Sequence, residues 1–398
     1  MMYCQMMRVI SSPSSSTTGL STLIFDIGIS LAFGEAGRST CPAVEGMRHA
    51  IAKRTGPRKR YQNRSAASLC ALLDRRAGDA HSACGEGPAA DSAAWEDGRM
   101  ADFDFDFVDV GEGRLHYARA GDPSRPLILF LHGFPEYWAA WSAVMATLAD
   151  DFFVVAPDQR GFNLSFKPEG EAAYRTKNMV ADLARLADHL SPARPFVLAG
   201  HDWGASVAYA YAFAHPDRLT HLVIANGTHP VCFQRAILED EGQRAASQYF
   251  HVLRSPDAAA RMAENDFART MKMLAGFSRT DWMTPEAAAG YRAAWSQPGA
   301  MQAMLHWYSS SPIVVPRPGE TVSDAPLLAV APERVSVRVP HLVLWGEADE
   351  ALRPVCLEGL ARYAPDLTVQ RVAGAGHWIL HERPQDVAAA MRAFLQRG

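Results

Sequence analysis

Five short apolar runs, each closed by a glycine or another turn residue, constrain this chain more than any other feature. They read PLILFLHG (126–133), FFVVAPD (152–158), PFVLAG (195–200), HLVIANG (221–227) and HLVLWG (341–346). Runs that stay apolar at every position suit strands covered on both faces, the situation inside a parallel sheet. Helical patterns over about 138–149, 175–190 and 203–215 separate the first four. Ahead of them, FDFDFVDV alternates with period two, RLHYARAG follows, and Gly111 and Gly113 between the two predict a hairpin. LTVQRVAG and QDVAAAMRAFLQR close the chain as a last strand and helix. Strands alternating with helices predict an α/β fold: a mostly parallel sheet with helices on both faces. The stretch 229–336 is too long for a loop, is rich in helix formers and contains Trp282, Trp295 and Trp307. It predicts an inserted helical cap between two core segments, 100–228 and 337–398.

Residues 1–99 have another texture. SSPSSSTTG is low in complexity, and 48–76 holds nine basic residues against one acid, Asp74. The apolar run LSTLIFDIGISLAF (20–33) is too short to span a bilayer and contains Asp26. Arg8 precedes that run as in a signal peptide, and the Ser and Arg content suits a transit segment. Asp26 and the lack of a small-x-small cleavage site favour a disordered extension. The change of texture near Met100 makes that residue a possible true start, or the preceding segment a removable leader. The rest of the chain carries 27 Lys/Arg against 34 Asp/Glu, which gives no electrostatic reason to expect nucleic acid. Four of the six cysteines lie in the first hundred residues. Cys232 and Cys356 alone in the main body suggest a reducing, cytoplasmic compartment, and no CxxC or Cys/His spacing supports a metal.

Chemistry concentrates in GHDWGA (200–205). Gly200 and Gly204 flank Asp202 by two positions each, where a strand turns into a helix. Hydrolases often place a nucleophilic serine in that frame, with the next backbone N–H aimed at the same space. A carboxylate there is a competent nucleophile towards alkyl carbon and forms an ester. Hydrolysing the ester requires a base, and GAGHWILHERP offers His377 on a glycine-rich turn after the last strand. LVLWGEADEAL offers Asp349 to orient it, with Glu347 and Glu350 as competitors. In LHGFPEYW, the Phe134 N–H after the His-Gly turn, together with the Trp203 N–H, would form an oxyanion hole. An aspartate before a helix is ordinarily an N-cap and a histidine beside tryptophan ordinarily a core residue. Three motifs at strand ends, in the order nucleophile, acid, histidine, argue for catalysis. His201 and His381 read as braces for their loops.

From about residue 103 to the end, the chain resembles the α/β-hydrolase superfamily, specifically its epoxide hydrolase branch. The resemblance rests on HGFPEYW, DQRGFNLSFKP, GHDWGA, WGEADEAL and GAGHW. It implies a cofactor-independent hydrolase in which the carboxylate attacks carbon and histidine-activated water then attacks the ester, giving a vicinal diol from a small apolar epoxide. It also implies two cap tyrosines that protonate the leaving alkoxide. ASQYFHVLRSPDAAA places Tyr249 at the first position and AMLHWYSSSPIV places Tyr308 at the second, with His306 and Ser309 where Asn and Arg often stand. Trp203, Phe134 and Trp307 are the implied substrate contacts.

The resemblance leaves a second chemistry open, haloalkane dehalogenation by the same ester. Such enzymes are similar at the Trp203 position, whose indole holds halide. Their second donor is commonly an Asn after the His-Gly turn, here Phe134, or a cap tryptophan, for which Trp282, Trp295 and Trp307 are available. A fluoroacetate-type site is disfavoured by Trp203 and Ser206 standing in place of its arginine pair. A non-catalytic binding module would have no need of the complete triad. The sequence leaves oligomeric state open.

Overall fold

A computed structural model describes residues 103–278, 282–322 and 324–396. The extension expected over residues 1–99 and the possible start at Met100 lie outside the described residues. Eight strands form one sheet: β1 (Asp104–Asp109), β2 (Arg114–Ala120), β3 (Leu127–Leu131), β4 (Phe153–Pro157), β5 (Phe196–His201), β6 (Leu219–Ala225), β7 (His341–Gly346) and β8 (Leu367–Val372). Their spatial order is β1-β2-β4-β3-β5-β6-β7-β8. The β1–β2 hairpin pairs Asp109 with Arg114, β2 runs antiparallel to β4, and every later pairing is parallel. This is the α/β-hydrolase fold, a mostly parallel sheet flanked by helices.

The central strands are apolar throughout because both faces are covered. Ile128 and Phe130 of β3 face one cluster, packed under α1 (Ser142–Leu148) and, near the C-terminus, α10 (Ile379–Glu382) and α11 (Pro384–Leu395). Leu127, Leu129 and Leu131 join the cluster on the opposite face, with α2 (Thr176–Leu190) and α3 (Trp203–Ala214). The start of the first predicted helix is a short 3-10 turn, Trp138–Trp141, ahead of α1.

Between β6 and β7, six α-helices occur among the described residues: α4 (Pro230–Glu239), α5 (Glu241–Ala246), α6 (Tyr249–Leu253), α7 (Ala258–Gly276), α8 (Pro285–Trp295) and α9 (Ala300–Ser309). Within α7, Glu264–Phe267 leave helical backbone angles, so the helix is kinked there. No helix among the described residues is long and apolar enough to cross a membrane.

Candidate active site

Parallel strands align their carboxyl ends along one edge of the sheet, and the loops that follow them gather there. Asp202 follows β5 and precedes α3, with φ +50° and ψ −119°, a region that costs a non-glycine residue energy. Its neighbours explain why the turn can close. A Cβ on Gly204 would lie 2.2 Å from the Leu131 carbonyl oxygen, and one on Gly200 would lie 2.6 Å from that of Gly204. Gly133 gives the same clearance on the facing loop, where a Cβ would lie 2.4 Å from Asp202 Oδ1. The Phe134 N–H therefore reaches Asp202 and donates to Oδ1 at 2.8 Å. Trp203 opens α3, so its N–H belongs to a first turn that has no intrahelical acceptor.

His377, on the turn after β8, places Nε2 3.7 Å from Asp202 Oδ2 and donates from Nδ1 to Asp349 Oδ2 at 2.8 Å. Asp349 is buried, and its Oδ1 accepts from the Ala351 and Leu352 N–H groups at 2.8 Å each. Glu347 and Glu350 are exposed, and Glu347 approaches Arg371 at 3.9 Å. Of the three acids in that loop, Asp349 is the one beside the imidazole. Burial alone would push His377 down, but Asp349 and Asp202 outweigh it and hold the imidazole at about 10.

Tyr249 begins α6 and Tyr308 lies near the end of α9; their rings are 6.1 Å apart at 80°. Tyr308 also meets Phe134 and Trp203 edge-on at 5.1 and 5.0 Å. Burial raises both phenols well above 10, and the Asp202 carboxylate adds to this. Phe134, Asp202, Tyr249, Tyr308 and His377 thus line one small pocket. A second runs from Asp202 and Trp203 along α3 towards Phe213 and Leu327.

Trp307 departs from the expectation of a substrate contact. Its indole N–H donates to the Arg160 carbonyl at 3.1 Å and its ring packs edge-on against Phe162, so it is held as a buried prop. The other two tryptophans of the insert are engaged in the same way. Trp282 donates to Ser278 Oγ at 3.1 Å and Trp295 to the Pro135 carbonyl at 2.6 Å.

Several residues went unnoticed in the sequence. Asn226, with φ +34°, donates to Asp349 Oδ2 at 2.6 Å and accepts from the Gly346 N–H at 2.8 Å, while its carbonyl accepts from the Asp202 N–H at 3.3 Å. The Asn-Gly pair closing β6 was the available signal. Glu136 is buried between His201 (3.2 Å) and His381 (2.6 Å) and accepts from the Tyr291 hydroxyl at 2.9 Å. Burial opposes its charge, yet the two histidines hold it well below the usual carboxylate range. His201 in turn donates to the His377 carbonyl at 2.9 Å, bracing that loop. Arg254, after α6, donates to the Tyr308 and Ile313 carbonyls at 2.9 Å each and so ties the two tyrosine-bearing helices together.

The sequence model of the α/β-hydrolase fold family matches residues 126–384. The chain belongs to the α/β-hydrolase family. Its relatives place this hydrolase in the epoxide hydrolase branch. It is 35% identical to the AB hydrolase superfamily protein YfhM of Bacillus subtilis, over 73% of this chain and 97% of that one. It is 31% identical to epoxide hydrolase 3 of Xenopus tropicalis, over 71% of this chain and 75% of the relative. Among solved structures, an epoxide hydrolase from hot-environment metagenomes aligns with a TM-score of 0.65 at 33% identity, covering 74% of this chain and 98% of its own.

Proposed function

We propose that this hydrolase adds water to an apolar epoxide through an ester on Asp202, without a cofactor. The observation that supports it best is the division of labour on one carboxylate: the Phe134 N–H holds Oδ1, while Oδ2 stands free of that donor beside His377. In this reading Oδ2 attacks an epoxide carbon, the carbon–oxygen bond breaks, and Tyr249 or Tyr308 gives its proton to the alkoxide. Forming the ester removes the Asp202 charge that raised both His377 and the phenols. The imidazolium then yields its proton to the phenolate and becomes a base at the moment one is needed. It takes a proton from water, whose oxygen attacks the ester carbonyl. The oxyanion forms at Oδ1, between the Phe134 and Trp203 N–H groups. Collapse breaks the ester, the carboxyl proton passes to the departing diol oxygen, and the Asp202–His377 ion pair is restored.

The helices from Pro230 to Ser309 act as the cap that brings the acids. The dehalogenase alternative needs a second N–H for halide, and the indoles of Trp282, Trp295 and Trp307 already have acceptors. A His377→Gln protein incubated with styrene oxide tests the reading by peptide mass. The peptide carrying Asp202 is expected to gain the mass of the epoxide. An unmodified peptide with turnover continuing refutes the ester.

A further inference from the structure

The turn that carries His377 is held from the insert as well as from the sheet. α7 ends at Gly276, and the last carbonyls of a helix have no partner within it. Two acceptors at this end are taken by the turn. The Trp378 indole N–H donates to the Leu274 carbonyl at 2.6 Å, and the His377 N–H donates to the Phe277 carbonyl at 3.3 Å. Gly376 allows the approach, since a Cβ there would lie 3.0 Å from the Phe277 carbonyl oxygen. Its own N–H donates to Glu382 Oε2 at 2.6 Å, and Ser278, just past the helix, donates from Oγ to Glu382 Oε1 at 2.7 Å. Gly376, His377 and Trp378 are thus each bonded to the end of α7, directly or through one carboxylate. Leu274, His377 and Trp378 are buried, where an unmade hydrogen bond costs most. Helix-end carbonyls need donors in any protein, and most such bonds only finish a helix. Here the donors are the base's own N–H and its neighbour's indole, and Phe277 and Trp378 line the pocket that holds Asp202.

We infer that Trp378 is a positioning residue: its indole ties the His377 turn to α7, so that the imidazole keeps its place over the ester only while the insert is seated. The inference rests on the epoxide reading above and concerns its second step. Forming the ester needs Asp202 Oδ2 and a tyrosine, with no demand on the exact place of the imidazole. Hydrolysing it needs Nε2, a water and the ester carbonyl brought together, and a misplacement of about 1 Å costs such a step about 10²-fold. The opposite anchor, His201 on the His377 carbonyl, belongs to the sheet. Without the α7 anchor the turn is left to pivot on that one. An insert that lifts away draws the base with it, and the ester waits until the insert returns.

The test is Trp378→Phe, which keeps an aromatic ring and removes the donor. Enzyme and styrene oxide are mixed and quenched at intervals, and the mass of the Asp202 peptide is followed. The ester is expected to form at nearly the wild-type rate and to decay about 10–10²-fold more slowly, so that it accumulates. Amide exchange, read by mass on the peptide holding residues 376–378, should quicken about tenfold while the β5 and β6 peptides stay unchanged. Formation and decay slowed alike overturns the inference and marks Trp378 as support for the fold alone. Decay equal to wild type overturns it too, and so does exchange that stays at the wild-type rate. If Trp378→Phe does not fold, Ser278→Ala decides: it loosens the same contact through Glu382 with little loss of volume, and should slow decay several-fold while sparing formation. Absence of the ester from both wild type and His377→Gln refutes the epoxide reading. The exchange result then decides the tie by itself, upheld if faster in Trp378→Phe and overturned if unchanged.

Discussion

Replacing Asp202 by Asn keeps the shape of the elbow and removes one charge 3.7 Å from His377 Nε2. Two unit charges about 4 Å apart, at an effective dielectric of about 20, interact by about 4 kcal/mol. That is about a thousandfold in proton affinity. His377 is therefore expected to fall from about 10 in the wild type to about 7 in the variant. Asp349 still pairs with Nδ1 at 2.8 Å and keeps the value from falling further towards what burial alone would impose. The assay is an NMR titration of histidine Cε1–H signals, with His377 assigned from His377→Gln. An imidazole that titrates at the same pH in both proteins refutes the claim that the nucleophile's charge holds the base protonated until the ester forms. Stability responds in the same sense. A folded value above the free one gives stabilisation that is complete below pH 6.5 and lost as pH rises through about 10. Asp202→Asn should flatten that alkaline loss in urea unfolding.

Changing Tyr249 and Tyr308 together to Phe keeps the rings and removes the donors, so epoxide turnover should fall by about 10²–10⁴-fold, with each single variant retaining more; halide release from bromoalkanes that persists in the double variant would mark the tyrosines as core aromatics. Burial lowers His229 and His341 to about 4, so the unfolded chain binds more protons between pH 6.5 and 4. Each should therefore withdraw about 3 kcal/mol as pH falls across that window. His229→Gln should reduce the acid slope of unfolding free energy by about one proton, and an unchanged slope would contradict the assignment. Gly204→Ala brings a Cβ against the Leu131 and His132 carbonyl oxygens at 2.2 and 2.6 Å. It should cost about 1–3 kcal/mol of stability, and a melting curve equal to wild type would show that the turn can relax.

The central strands were legible because they stay almost wholly apolar, the pattern that coverage on both faces produces, and each run ends at a residue that turns the chain. Asp202 and Asp349 were legible for the same reason, since each stands just past such a run, and His377 was legible from the glycine-rich turn that follows the last strand. Asn226 stands there too, but its work is done through both amide groups at once, and nothing in a sequence shows that its side chain spans from Gly346 to Asp349. Glu136, His201 and His381 come from three separate segments, so their meeting is a product of the fold alone. Trp307 misled because a tryptophan in an insert signals burial without saying whether its indole N–H faces a cavity or a backbone carbonyl. Arg254 carries no sequence signal of its own, because its acceptors are carbonyls that no residue type announces.

The chain leaves the sheet after Ala225 and returns at His341, on the strand that pairs directly with β6. Past Asn226, which is bound to the elbow and to Asp349, the stretch in between is one continuous insert, a block that carries Tyr249 and Tyr308, while Asp202, Asp349 and His377 all stand past the ends of sheet strands. Heritable change in the block would alter which molecules are admitted and also whether a proton is available for the group that departs. The kind of bond broken would then be decided by the insert and the manner of attack by the sheet. Descendants of one ancestor could part company in the reaction they perform through changes confined to that block, with the nucleophile never moving.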